Sequence, residues 1–188
     1  MITAKLLLVY LLHTAASVGI DVDTTNIDVD QAYCLAENIY YESKSEDIQG
    51  QFAVASATLN RVNDSRFPKT ICGVVRQSTT SKKSNKLVCA FSWYCENDKR
   101  GREIPVRNKD GSINQTVVDQ FQVASIVAIT VLGGEVQDNT HGATHFHNFH
   151  TCHPGWASEL KKTLRVGNHD FYKLPQPKNT LVQTIASQ

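Results

Sequence analysis

The stretch Asp30-Gln-Ala-Tyr-Cys-Leu-Ala-Glu-Asn-Ile-Tyr-Tyr-Glu-Ser-Lys-Ser-Glu-Asp-Ile-Gln-Gly-Gln-Phe-Ala-Val-Ala-Ser-Ala-Thr-Leu-Asn-Arg-Val-Asn63 sets the reading of everything around it. In its first half Tyr33, Ala36, Ile39 and Tyr40 fall at helical spacing, so a helix capped by Asp30 is expected to run to about Glu42. Ser43-Lys-Ser45 breaks that helix. Glu46-Asp47 then suits the electropositive start of a second one. Along it Ile48, Phe52, Ala55, Leu59 and Val62 recur in steps of four and three, the clearest amphipathic stripe in the chain.

Working outward, Arg66–Val75 reads as a turn and a short third helix, and Ser78–Lys86 as a polar, basic loop. Cys89-Ala-Phe-Ser-Trp-Tyr-Cys95 is compact and aromatic, and Glu96–Gly111 is charged and irregular. Val117 to Leu132 is a strongly apolar helix, closed by Gly133-Gly134. Ile48, Phe52, Leu59, Val123, Ile126 and Val127 are the expected core. Gly142–Trp156, rich in His and aromatics, suits short extended strands. With no internal repeat and no second core, the expectation is a single, mainly α domain with a short irregular, β-containing segment.

The N-terminus has one lysine, the apolar run Leu6–Leu12 and then small residues, which is the build of a secretory signal. Residues 1–19 are therefore expected to be a signal peptide or an N-terminal membrane leader, and residues 173–188 a flexible tail. Such a leader implies a secreted or periplasmic protein in an oxidising compartment. The 188 residues carry 19 basic and 18 acidic side chains, a net charge of +1 that gives no global field for nucleic acid. Cleavage would remove Lys5 and bring the charge to zero. Anion contacts would then fall to the Lys82–Lys86 and Lys99–Lys109 loops. Membrane contact is expected only through an uncleaved leader, and the protein is expected to be a monomer.

Three clusters carry candidate chemistry. The first is Glu37, Glu42 and Glu46. Glu42 belongs to the last turn of its helix, where the carbonyl ends disfavour negative charge and raise a carboxyl pKa. Tyr40 and Tyr41 would desolvate it further. A glutamic acid kept protonated near neutrality is what a general acid for glycoside cleavage requires, although a solvated helix-end glutamate has the same pattern. The second cluster is His141, His145, His147, His150 and His153 with Cys152. His145 and His147 share one face of a strand, and the set fits either a zinc site or a polar cleft wall. The third is Cys89–Cys95, whose rings suit stacking on sugars or packing in the core. Of the five cysteines Cys34, Cys72, Cys89, Cys95 and Cys152, one pair is expected among Cys72, Cys89 and Cys95. Cys34–Cys152 is a candidate second pair, which leaves one free thiol.

These residues resemble the SleB-type (spore-cortex-lytic) cell wall hydrolases of bacteria and bacteriophages. The likeness begins at Leu35-Ala-Glu-Asn-Ile-Tyr-Tyr-Glu-Ser-Lys-Ser-Glu46 and continues through Gly50-Gln-Phe-Ala-Val-Ala55 and Leu59-Asn-Arg-Val62. It runs on through Arg66–Val75, Gln77 and Cys89-Ala-Phe-Ser-Trp93, then Gly142-Ala-Thr-His-Phe-His147, Pro154-Gly-Trp156 and Val166–Tyr172. The resemblance implies a lysozyme-like, lytic transglycosylase-like catalytic domain over residues 30–172. Its substrate would be peptidoglycan, cut at the β-1,4 bond between N-acetylmuramic acid and N-acetylglucosamine, with no cofactor and no metal. The family's catalytic glutamate falls on Glu42, with Glu46 the second choice. Tyr41, Gln77, Phe91, Ser92, Trp93, Thr144, His145 and His147 would line or shape the glycan cleft. Ser45 stands where the family has glycine, and Lys44 where it has arginine. A phage endolysin is one role that fits. The readings weighed against an enzyme of this kind are a catalytically silent peptidoglycan-binding module and a metal-dependent wall hydrolase built on the His/Cys stretch.

Overall fold

The computed structural model describes residues 3–14, 23–82, 84–96 and 103–175. Its helices are α1 (Ala4–Thr14), α2 (Val29–Ser43), α3 (Ile48–Asn63), α4 (Ile71–Val75) and α5 (Gln115–Leu132). Strands β1 (Ser78–Thr80) and β2 (Leu87–Cys89) form a two-stranded ribbon. Strands β3 (His145–Asn148), β4 (Lys161–Val166) and β5 (His169–Lys173) form an antiparallel sheet of order β3-β5-β4. Single 3₁₀ turns occupy Ser92–Cys95 and Gly155–Ser158. The architecture is mainly α with a small sheet, as expected.

The caps explain the helix starts. Asp28, two residues ahead of the expected Asp30, accepts from the backbone N–H groups of Asp30 and Gln31. Asp47 accepts from Gly50, Thr70 from Gly73 and Asn114 from Val117. α2 is the central helix, and from Ala32 to Tyr40 every residue is buried. It packs on α5, α3 and α4.

α3 departs from its sequence reading. Ile48 is 45% exposed, and Phe52, Leu59 and Val62 are only half-buried. The buried face instead carries Ala53, Val54, Ala57, Thr58 and Arg61. The physical reason is that α3 lies between two partners. Ala55 joins the main core with α2 and α5, while Ala53, Val54 and Ala57 pack with Ala143 and Phe171 of the sheet side. Small side chains permit close approach on both sides, and the larger apolar residues end up at the rim. In α5, Val127 is core as expected, but Val123 is 39% exposed and Ile126 half-buried.

Within the expected leader, α1 packs on α5 and α2 and contributes Ala4, Leu8, Leu11 and Leu12 to the main core. Lys5 pairs with Asp30 at 2.5 Å. The expected cleavage region near residues 17–19 and the tail beyond Pro175 lie outside the described residues, as do Lys99, Arg100 and Arg102 of the basic loop.

The disulfides are Cys34–Cys72, tying α2 to α4, and Cys89–Cys95, tying β2 to the 3₁₀ turn behind it. The second lies within the expected Cys72/Cys89/Cys95 group. The Cys34–Cys152 pairing does not form, because α4 brings Cys72 against α2, whereas Cys152 is an exposed free thiol. The 38-residue separation of Cys34 and Cys72 removes about 4 kcal/mol of chain entropy from the unfolded state in the loop-closure picture.

Candidate active-site cleft

A cleft of about 480 Å³ runs between the helical half and the sheet. Tyr41, Glu42, Ser45 and Glu46 come from the end of α2 and the turn after it, and Arg61 from α3. Phe91, Ser92 and Trp93 form one wall, and Phe146, His147, Asn148, Trp156 and His169 the other.

Glu42 sits in the last turn of α2, as the break at Ser43-Lys-Ser45 predicts, and borders the cleft. Arg61 is its electrostatic neighbour. Burial pulls the guanidinium down to about 10, and the Glu42 charge works against that shift. Arg61 therefore stays cationic at neutral pH. Its Nε donates to the Thr144 carbonyl oxygen at 2.5 Å, and its guanidinium lies over the Phe91 ring at 4.7 Å and the Phe67 ring at 5.6 Å. Arg61 was quoted in the sequence only as part of Leu59-Asn-Arg-Val62. A signal was present: it follows Ala57 by four residues and so falls on the same helix face.

Glu46 has a different environment. Its side chain is 5% exposed, and its carboxylate accepts from the Asn168 backbone N–H at 2.9 Å and from Asn168 Nδ2 at 3.0 Å. His169 Nδ1 stands 4.0 Å away. The carboxylate thus clasps the turn between β4 and β5 to the start of α3. Gly167 in that turn has a φ of 54°, and a Cβ there would overlap the Glu46 carboxylate.

Trp93 borders the cleft but is only 3% exposed. It stacks on Tyr41 with ring centroids 4.5 Å apart and donates from Nε1 to Asn38 Oδ1 at 2.9 Å. Asn38 Nδ2 in turn donates to Thr58 Oγ1 at 3.1 Å. Trp93 and the buried Phe91 therefore build a wall rather than a free stacking surface, while Ser92 is exposed at its edge.

On the opposite wall His147 pairs with the Tyr172 hydroxyl at 3.1 Å and stacks on that ring. Trp156, not among the expected site residues, packs edge-on against His147, His145 and Tyr172 and stays half-buried beside the cleft. Burial, aided by His147, pulls the His169 imidazole down despite the nearby Glu46.

Three expected cleft residues lie elsewhere. Gln77 stands at the base of the ribbon, where its carbonyl accepts from Ala90 N–H at 2.8 Å. Thr144 is buried behind the cleft, holding Arg61. His145 packs between Phe67 and Trp156, with Nδ1 against Thr144 Oγ1 at 3.0 Å. Burial, Arg61 and Arg66 push its imidazole down to about 4, so it is neutral at neutral pH. Among the described residues no three His, Cys, Asp or Glu side chains converge as a ligand set.

The fold and cleft define a lysozyme-like, mainly helical domain with a glutamate-bearing groove closed on one side by a small antiparallel sheet. Comparisons with known proteins agree. The catalytic domain of the germination-specific lytic transglycosylase SleB from Bacillus anthracis superposes with a TM-score of 0.53 at 26% identity, covering 79% of this chain and 98% of that one. The catalytic domain of the Bacillus cereus SleB protein, 23% identical, gives a TM-score of 0.50 over 79% and 94%. Among curated relatives, the spore cortex-lytic enzyme of Oceanobacillus iheyensis is 38% identical over 156 residues, 80% of this chain and 46% of that protein. That of Halalkalibacterium halodurans is 28% identical over 137 residues, 73% and 33%. The chain thus spans between a third and a half of the length of these relatives. Residues 45–172 match the Cell Wall Hydrolase family, and the chain belongs to it. Glu46 lies inside the matched span, and Glu42 just ahead of it.

Proposed function

We propose that this chain is an extracytoplasmic lytic transglycosylase that cuts the β-1,4 bond between N-acetylmuramic acid and N-acetylglucosamine, with Glu42 as its single acid and base. The observation that carries the reading is the placement of Glu42 at the carbonyl end of α2, on the cleft, where the helix end favours the protonated acid against the opposing pull of the Arg61 charge. In this reaction Glu42 gives its proton to the glycosidic oxygen as the bond from muramic acid C1 breaks. The Arg61 charge stabilises the carboxylate left behind. That carboxylate then takes the proton of the muramic acid 6-hydroxyl as this oxygen closes on C1. The products are a 1,6-anhydro end and a free 4-hydroxyl. The second nucleophile comes from the substrate, so no paired carboxylate at glycosidase separation is needed. Glu46, already holding two Asn168 donors, serves as a positioning residue.

The test is digestion of purified sacculi followed by mass spectrometry of the soluble fragments. Wild type should release anhydro-muramic ends, and Glu42→Gln should lower the rate at least a thousandfold. Reducing muramic ends would replace transglycosylation by hydrolysis with water. An undiminished Glu42→Gln variant would remove Glu42 from its role.

A further inference from the structure

On the other side of the 92–95 turn from the cleft is a second cavity of about 520 Å³, a size ordinary for a small-ligand site. It is bordered by α2, α4 and the segment that begins at Glu103. Glu37 is 5% exposed, yet it makes no hydrogen bond or ion pair among the described residues. Tyr33, one turn earlier, is 8% exposed, and its buried hydroxyl meets the Ile104 backbone without completing a well-formed hydrogen bond. A buried carboxylate without a partner costs stability, which a ligand would restore. Burial, reinforced by Glu103 and opposed by Arg76, pushes the Glu37 carboxyl up to about 7, so a bound cation would hold it ionised.

The charges around the cavity narrow the ligand. In the chain that retains α1, which is the form titrated below, Lys5 and Asp30 neutralise each other at 2.5 Å. Among the described residues Glu37, Glu103 and the Arg76 guanidinium remain, none with an ion pair there. A simple amine would leave Arg76 unanswered, and a simple carboxylate would face two acidic groups. Only a ligand with both signs on adjacent atoms answers all three.

We propose that this cavity is a second binding site, for the zwitterionic head of an α-amino acid. The ammonium lies against Glu37 and Glu103, the carboxylate against Arg76, and the Tyr33 hydroxyl takes a further hydrogen bond. Neither Glu37 nor Arg76 borders the catalytic cleft, so the site stands whether or not Glu42 performs the chemistry above.

Calorimetric titration of the full chain with three matched probes tests it: norleucine, pentylamine (the same molecule without its carboxylate) and hexanoate (without its ammonium). Norleucine should bind one to one, at least tenfold tighter than either truncated probe. Glu37→Gln and Arg76→Gln should each weaken it at least tenfold, with cleavage of sacculi within twofold of wild type. Exposed Glu103→Gln is the substitute if Glu37→Gln fails to fold by thermal melting. Equal binding of pentylamine and norleucine, no binding of norleucine, or binding unchanged in the variants would each overturn the proposal. A muropeptide carrying a free diamino-acid head distinguishes the two sources of this chemistry. Tighter binding than norleucine assigns the site to stem peptides, and equal binding assigns it to free amino acids.

Discussion

Replacing Glu46 by alanine removes two hydrogen bonds to an ionised acceptor, those from Asn168 N–H at 2.9 Å and Nδ2 at 3.0 Å. Bonds to charged groups contribute about 1.5–3 kcal/mol each. Asn168 is exposed and can turn its donors to water, which puts each loss at the low end, so the expected cost is about 2–3 kcal/mol. For a chain of this size that corresponds to roughly 4–12 °C in melting temperature. Glu46→Gln retains one acceptor and should cost about half as much. The assay is a double-mutant cycle with Asn168→Ala, read by urea unfolding and by turnover on sacculi. A clasp predicts a coupling of about 1–2 kcal/mol and parallel, modest losses of activity in both single variants. If Glu46→Ala stopped turnover while Asn168→Ala left it intact, with no coupling in stability, the carboxylate would be acting on substrate and the clasp would be refuted.

Three further outcomes are expected. Asp170 is held at about 2, below the usual carboxylate value, by Arg165 at 2.6 Å and Lys162 at 2.7 Å. Its stabilisation is therefore complete above about pH 4 and lost as pH falls through about 2, so wild type and Asp170→Asn, apart at pH 7 in denaturant unfolding, should converge there. Leu8 is fully buried between α1 and the core, so Leu8→Ala should cost about 2–4 kcal/mol in a protein that retains its N-terminus. Intact mass of the exported protein shows whether that helix is kept, and a shortened product should be indifferent to the change. Trp156→Ala should raise KM for glycan about fivefold with little change in kcat, since ring stacking contributes about 1 kcal/mol. A fall in kcat alone would assign Trp156 to the chemistry instead.

The helical half was legible because its signals are local. The break at Ser43-Lys-Ser45, the acidic caps and the glycine pair after Leu132 each act within one turn of chain. The resemblance at Leu35–Glu46 led to the family through the same residues. The burial of α3 was not legible, since the stripe Ile48/Phe52/Leu59 assumes one buried side and α3 has two. Strands β4 and β5 were missed because their buried members include His169 and Asp170, whose cost is met only across strands and elements. Gly167-Asn168 between Val166 and His169 was a two-residue hairpin signal that could have found them. The separation of Gln77, Thr144 and His145 from the cleft depends on tertiary packing and has no signature in spacing.

The chain of contacts from Thr58 through Asn38 to Trp93 and on to Tyr41 links α3, α2 and the 3₁₀ turn by hydrogen bonds and one stacked pair. That side of the groove is set when the protein folds, so an arriving ligand meets a surface whose shape is already decided. The opposing side hangs on a three-stranded sheet and a short turn bearing Trp156. Substitutions there alter that wall without moving Glu42. Relatives that divide the same chemistry among differently decorated walls are therefore expected to diverge on the sheet side and to agree along α2.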